Sequence, residues 1–205
     1  MIREQWYAIL SAKEVRPGKP VGVTRMSQKL VLWRKEDGSV ACIADRCCHR
    51  GASLAAELGA ASADHLVKTS REDIIALAKG NTVAVALPCT PFGLAEQHYT
   101  PAKDILAAGG LLAVASDLNP GTAWCGNMQF VIALACRYLK LTPAQAIAAA
   151  TINAAAAIQR ADRIGSLEVG KQADILVLSV SDYRHLGYQF GTNLVNTVIK
   201  RGQVC

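Results

Sequence analysis

Two short stretches of this sequence carry side chains whose types and spacing suit chemistry. The first is Ala113-Val114-Ala115-Ser116-Asp117-Leu118-Asn119-Pro120-Gly121-Thr122. An aspartate that ends a buried apolar strand stands at the C-terminal mouth of a βα unit, where barrel folds place catalysis. The Asn-Pro-Gly turn after it is expected to offer backbone N–H groups and the Asn119 amide to a ligand held there. A helix-capping aspartate would look the same in sequence. The second stretch is Arg46-Cys47-Cys48-His49-Arg50. In an extended segment alternate side chains share a side, so Cys47 and His49 can face one metal centre; an ordinary reduced loop pair is the other reading. The four histidines, 49, 65, 98 and 185, include no pair two residues apart. The seven cysteines (42, 47, 48, 89, 125, 136 and 205) are odd in number, irregularly spaced and contain no C-x-x-C. They read as reduced core residues or ligands, not as a disulfide scaffold.

The elements that must position these residues change character along the chain. Up to about residue 55, short β-rich runs at Val21–Thr24, Lys29–Arg34 and Val40–Ala44 alternate with turn signals. Asp37-Gly38 among these marks a hairpin, so the pattern is an antiparallel meander. Beyond it, Ser70 followed by Asp73 forms a capping box opening a helix that stops at Gly80. Buried strands are expected at Thr82–Leu87 and Leu111–Ser116, and helices at Pro101–Ala108 and Cys125–Leu139. Thr142-Pro143-x-Gln145 opens another helix, and the tail returns to strands at Ala173–Ser179 and Val195–Val204. Strands alternating with helices imply βα units and a parallel sheet.

Residues 2–54 resemble the start of the Rieske domain of aromatic-ring oxygenases. The likeness rests on Trp6-Tyr7, Lys19-Pro20-Val21, Leu30-Val31-Leu32-Trp33-Arg34, Asp37-Gly38 and Cys47-x-His49. It implies that Cys47 and His49 are half of an iron–sulfur ligand set, which needs two Cys and two His. No cysteine lies between Cys48 and Cys89, and Phe92 stands where the second histidine would follow Cys89. An iron–sulfur cluster is therefore not expected.

Residues 55–205 resemble the C-terminal part of the imidazolonepropionases, metal-dependent amidohydrolases of histidine degradation. Ala63-Asp64-His65-Leu66, Asp117-x-Asn119-Pro120-Gly121, Gly170-Lys171-x-Ala173-Asp174 and Tyr188-x-Phe190-Gly191-x-Asn193 carry this likeness. It implies hydrolysis of a cyclic C–N amide bond, converting imidazolonepropionate to N-formimidoyl-glutamate. It implies zinc or iron as cofactor, with Asp117 as a metal ligand and His65 and Asp117 as catalytic residues. Asn119, Gly121 and Thr122 would contact the substrate. In such a site the metal lowers the pKa of bound water to about 7, and an aspartate beside it can take the proton. The same resemblance asks for a His-x-His pair and a further histidine on other strands. They are absent, so the chain alone is expected to be inactive.

The expected architecture is therefore α/β. Part of a (β/α) barrel of amidohydrolase type with C-terminal β-strands (55–205) follows a small, partial Rieske-like antiparallel β-module (1–54). Gly51-Ala52-Ser53-Leu54-Ala55 fits both patterns and is read as the junction. The alternatives are a Rieske oxidoreductase or oxygenase component, or a non-catalytic chimeric fragment.

Composition bounds the rest. Hydrophobic residues make up 51% and charged residues 19%, which excludes disorder and coiled coil. No apolar run approaches the roughly 20 residues of a membrane span, and the N-terminus lacks a signal-peptide core; a cytoplasmic protein is expected. The net charge of +6 is concentrated early: residues 1–55 hold ten Lys/Arg against five Asp/Glu. Those cations are scattered singly, so no nucleic-acid partner is expected, only a small-molecule substrate. Unclosed strand edges point to homo-oligomers or aggregation.

Overall fold

A computed structural model describes residues 10–11, 13–25, 28–44 and 51–205. The chain separates into two compact units, Met1–Cys48 and His49–Cys205.

In the first unit, β1 (Val21–Arg25), β2 (Gln28–Arg34) and β3 (Val40–Ala44) form an antiparallel meander in the order β1-β2-β3. The β2–β3 turn is built by local chemistry. Gly38 takes a φ of +81°, which glycine accepts freely. The Asp37 carboxylate accepts from the Ser39 N–H at 2.8 Å and hydroxyl at 2.6 Å. Those bonds hold its pKa below the ordinary carboxylate range. Val15 and Leu32 are buried against Leu10 and Val23, and Arg34 Nε donates to the Val15 carbonyl at 3.0 Å.

The second unit opens with α1 (Gly51–Glu57), β4 (Ser62–Asp64), α2 (Arg71–Lys79), β5 (Val83–Ala86), α3 (Cys89–Gly93), α4 (Ala102–Ala107) and β6 (Leu112–Val114). Then come α5 (Met128–Arg137), α6 (Pro143–Ala150) and α7 (Ile152–Ala157). β4, β5 and β6 form a parallel sheet with β5 in the middle, in register Ala63↔Ala84 and Val85↔Ala113. Both faces are covered, which is why these strands read as continuous apolar runs. Ala84, Ala86, Leu112 and Val114 face a core shared with α2, α4, α5 and α6. Val83, Val85 and Ala113 face Ala157 of α7. The Leu111 carbonyl and Ala115 N–H bond to β5, so the Leu112 carbonyl points to the opposite edge, where Asn153 Nδ2 donates to it at 2.8 Å.

Several elements differ from their sequence expectations for identifiable reasons. The helix expected from Cys125 begins at Met128, because the Asn127 side chain accepts from the N–H groups of Gln129 and Phe130 and caps it there. The helix opened by Thr142 ends at Ala150, and a break at Thr151 (φ −121°, ψ −92°) lets α7 turn onto the second sheet face. The junction residues Gly51–Ala55 lie within α1. The capping boxes of α2 and α6 form as expected from Ser70/Asp73 and Thr142/Gln145.

The chain closes with β7 (Ile175–Leu178), the short α8 (His185–Tyr188), β8 (Val195–Lys200) and β9 (Gln203–Val204), the strands in an antiparallel sheet. Arg201 and Gly202 both take positive φ, 51° and 80°, as a tight hairpin turn requires. Asp174 binds the Lys200 ammonium and, at 2.9 Å, the Arg201 N–H. α5 grips the segment around α8: Arg137 donates to the Gly187 carbonyl at 2.6 Å and lies 4.6 Å over the Phe190 ring. Among the described residues no helix is long and apolar enough to cross a membrane.

Candidate functional site

The C-terminal ends of the three parallel strands converge on one point, and each contributes a polar side chain. His65 directly follows β4, Thr90 lies in α3 just after β5, and Asp117 follows β6. His65 Nε2 stands 3.9 Å from Asp117 Oδ2, with the side chains 46% and 26% exposed. The same carboxylate oxygen accepts from Thr90 Oγ1 at 2.6 Å. Asp117 caps no helix, since the next one starts at Met128 and is capped by Asn127; the helix-capping alternative is excluded.

Both groups sit on unusual backbone. His65 (φ 68°), Leu66 (φ 57°) and Asp117 (φ 53°) are left-handed non-glycine residues, a conformation costing about 1 kcal/mol or more each and enriched at functional sites. Neighbouring hydroxyls hold it. Thr100, itself buried, donates to the His65 carbonyl, and Thr69 Oγ1 donates to the Leu66 carbonyl at 2.7 Å.

The turn after Asp117 corrects one expectation. Its amides are not offered outward. Asn119 Oδ1 accepts the Gly121 and Thr122 N–H groups, each at 2.8 Å. Asn119 Nδ2 donates back to the Asp117 carbonyl at 2.7 Å. An Asx turn satisfies its own donors, so Asn119 shapes the loop and leaves the Thr122 hydroxyl, 3.1 Å from Asn119 Nδ2, beside it. Sequence reasoning also passed over Thr90, Thr100 and Gly93. The backbone at Gly93 comes so near the loop that an added Cβ would lie 2.3 Å from the Thr122 carbonyl oxygen. Thr90 lies in the short α3 and Thr100 just before α4, and a hydroxyl at such places is a signal shared by most connections.

Beneath the mouth, Cys89 is buried. Burial, with the neighbouring Cys125 thiol and Asp117, pushes its thiol up to about 12. Cys47 and His49 lie outside the described residues. Among the described residues no group of three or more His, Cys, Asp or Glu side chains could hold a metal ion. Asp117 with His65 is two donors at most, fewer than the three protein ligands of a typical catalytic zinc site. The described residues do not by themselves fit the implied metal.

Comparison with known proteins agrees with this topology. The profile of the amidohydrolase family matches residues 27–205. An imidazolonepropionase of Herpetosiphon aurantiacus is 55% identical over 154 residues, 75% of this chain and 36% of that protein. One of Porphyromonas gingivalis is 51% identical over the same coverage. The chain thus spans little more than a third of the curated relatives it matches. Among solved structures, an adenosine deaminase from Xanthomonas campestris with bound zinc superposes with a TM-score of 0.66 at 26% identity, covering 72% of this chain and 38% of that one. Atrazine chlorohydrolase from Arthrobacter aurescens, complexed with zinc, shares the fold with a TM-score of 0.62 at 20% identity, over 72% of this chain and 36% of that one. With a family profile running through most of its length and relatives at about half identity, this chain belongs to the amidohydrolase family.

Proposed function

We propose that residues 55–205 are the part of an imidazolonepropionase-type hydrolase that supplies His65, Asp117 and the Asn119–Thr122 loop to the active site. The single observation that supports it most is the meeting of His65 and Asp117 at the ends of β4 and β6, on strained backbone, with Thr90 on the shared carboxylate oxygen. In this reading the parallel strands belong to a (β/α) barrel. His65 and Asp117 exchange protons with a cyclic amide substrate and attacking water, and Thr122 and the Gly121 backbone line the substrate's side of the loop. Zinc or iron is the cofactor of the whole protein. Its remaining ligands come from outside these residues.

The test has two arms. Purified chain, with or without added zinc or iron, is assayed for loss of the imidazolone ring absorbance; no turnover above background is expected. The matched 154 residues are then exchanged into the Herpetosiphon aurantiacus imidazolonepropionase. Retained metal-dependent turnover, abolished by Asp117→Ala, is the expected result. An inactive but folded, metal-loaded exchange protein would overturn the reading.

A second origin is proposed for residues 1–54, as a partial Rieske-like module. The β1–β3 meander and the Cys47-x-His49 spacing support it. Iron analysis after anaerobic expression should find no stoichiometric cluster, because half of the ligand set is missing; two irons per chain with a Rieske-type spectrum would contradict this.

A further inference from the structure

Two tyrosines far apart in the chain stack face to face. Tyr99 lies in the connection between α3 and α4, and Tyr138 is the C-cap of α5, where its N–H donates to the Leu134 carbonyl at 2.7 Å. Their ring centroids are 4.5 Å apart and their planes only 14° from parallel. Phe92 of α3 braces the stack, packing against Tyr138 at 6.3 Å and edge-on to Phe130 at 5.3 Å. Tyr138 is 43% exposed, whereas Tyr99 is partly buried and packs against the main core. Tyr183 and Tyr188 are more exposed than either, yet among the described residues Tyr99–Tyr138 is the one tyrosine pair in ring contact. Tyr99 also directly precedes Thr100, whose hydroxyl donates to the His65 carbonyl. The hydrolytic reading uses neither tyrosine ring.

We propose that Tyr99 and Tyr138 form an oxidative modification site, a stacked phenol pair that a one-electron oxidant (a haem peroxidase with hydrogen peroxide) couples into dityrosine. The exposed Tyr138 phenol meets the oxidant first and loses one electron and one proton. Tyr99, in ring contact with the resulting phenoxyl radical, passes it a hydrogen atom's worth of electron and proton, and Tyr138 is oxidised a second time. Both rings are then phenoxyl radicals, and the hydrogen peroxide that took up the two electrons and two protons has left as two waters. Spin in a phenoxyl radical spreads over the oxygen and the ring π lobes, which stand perpendicular to the ring plane. A near-parallel stack turns those lobes toward each other, so a C–C bond forms between one Cε of each ring. Each joined carbon then sheds its hydrogen as a proton and each ring oxygen takes one up, restoring two phenols. The pair has lost two hydrogen atoms in all. The cross-link ties the connection that carries Thr100, and through it the His65 carbonyl, to the end of α5. This inference does not rest on the hydrolytic reading, and loss of one leaves the other standing.

The test exposes dilute full chain to a haem peroxidase and hydrogen peroxide, raising the dose until the exposed Tyr183 and Tyr188 are modified. Dityrosine fluorescence is read from the monomer band of a denaturing gel, and the tryptic peptides of that band are mapped. Trypsin places Tyr99 in peptide 80–103 and Tyr138 in peptide 138–140. The expected result is these two peptides joined, at their summed mass less two hydrogen atoms. Monomer fluorescence is lost in Tyr99→Phe and in Tyr138→Phe, which keep the stacked ring and remove only the phenol oxygen, their fold being checked by melts. Dityrosine confined to cross-linked dimers would overturn the proposal, as would monomer fluorescence that survives either substitution. So would unlinked peptides in a sample whose Tyr183 and Tyr188 are oxidised.

Discussion

At the scale of single residues, the mouth of the parallel sheet is held by hydroxyls more than by charges. Thr90 donates to a carboxylate oxygen that also faces His65, and hydrogen bonds to charged groups contribute roughly 1.5–3 kcal/mol. Thr90→Val keeps the shape but removes the donor, so it should lower stability by about 1–2 kcal/mol, discounted for the partial exposure of the site. Thr90→Ser should restore most of it; equal losses in urea titrations of both variants would show that the methyl, not the hydroxyl, matters. Gly93 makes a sharper case. Any side chain there must push the Thr122 carbonyl away, so Gly93→Ala should cost about 1–3 kcal/mol, the range for overpacking. An unchanged denaturation midpoint would mean that the loop yields freely.

At the scale of elements, α1 and α2 are joined through one buried carboxylate. Asp73 is 1% exposed and accepts from the N–H and hydroxyl of Ser70, at 3.1 and 3.0 Å, and from the N–H and hydroxyl of Ser53. Burial pushes its pKa up, but these bonds outweigh burial and hold it below the ordinary carboxylate range. Because the folded pKa lies below the unfolded one, this stability is fully present above the unfolded value of about 3.9. It is lost as pH falls through the folded value. Melting temperatures should therefore drop on acidification below that point, and Asp73→Asn should be less stable at pH 7 yet show a flatter acid limb. Parallel acid limbs in the two proteins would refute the assignment. Asp174 acts similarly between β7 and the β8–β9 turn: Lys200 and the Arg201 N–H lower its pKa to about 2. The Lys171 of the same Gly-Lys-x-Ala-Asp run binds Glu168 at 2.9 Å and Ser166 at 2.6 Å. Lys171 and Asp174 of that run, part of the family likeness, thus bind within the C-terminal segment.

In the second unit as a whole, both faces of the three-stranded parallel sheet are covered and one edge is met by a side chain. α7 covers the face that α2, α4, α5 and α6 leave open, and Asn153 meets the outward carbonyl of β6. An edge strand with unpaired backbone groups invites association. Asn153→Ala leaves that carbonyl without its donor, at a cost of about 1–3 kcal/mol, and frees the edge. Light scattering after size exclusion should show more oligomer in the variant than in the parent at equal concentration. Identical mass distributions would mean that Asn153 does not guard this edge.

Much of the second unit was legible in the sequence because its signals are local. Capping boxes at Ser70 and Thr142, buried runs ending near Leu87 and Ala115, and the strands of the tail depend on neighbours a few residues away, and each appears within a few residues of where it was expected. The run expected over Val195–Val204 is, however, two strands, β8 and β9, joined by the Arg201-Gly202 turn. The short elements α1, β4, α3 and α8 were not legible, since five or so residues hold too little periodicity to register. The placement of Asp117 at a strand end followed from the strand pattern, whereas His65 was singled out only by the family likeness. Their 3.9 Å approach followed from neither, because it depends on β4 and β6 flanking β5, a pairing between residues separated by tens of positions. The same holds for Thr90, which reaches Asp117 only through that sheet. The turn after Asp117 shows the limit in reverse: its residues were identified, but whether its amides point to a ligand or to Asn119 depends on the fold of the loop. Local chemistry thus determined which elements form and which side chains could react. The tertiary structure alone decided which of them meet, since loop closure and sheet order set distances that no spacing in the chain records.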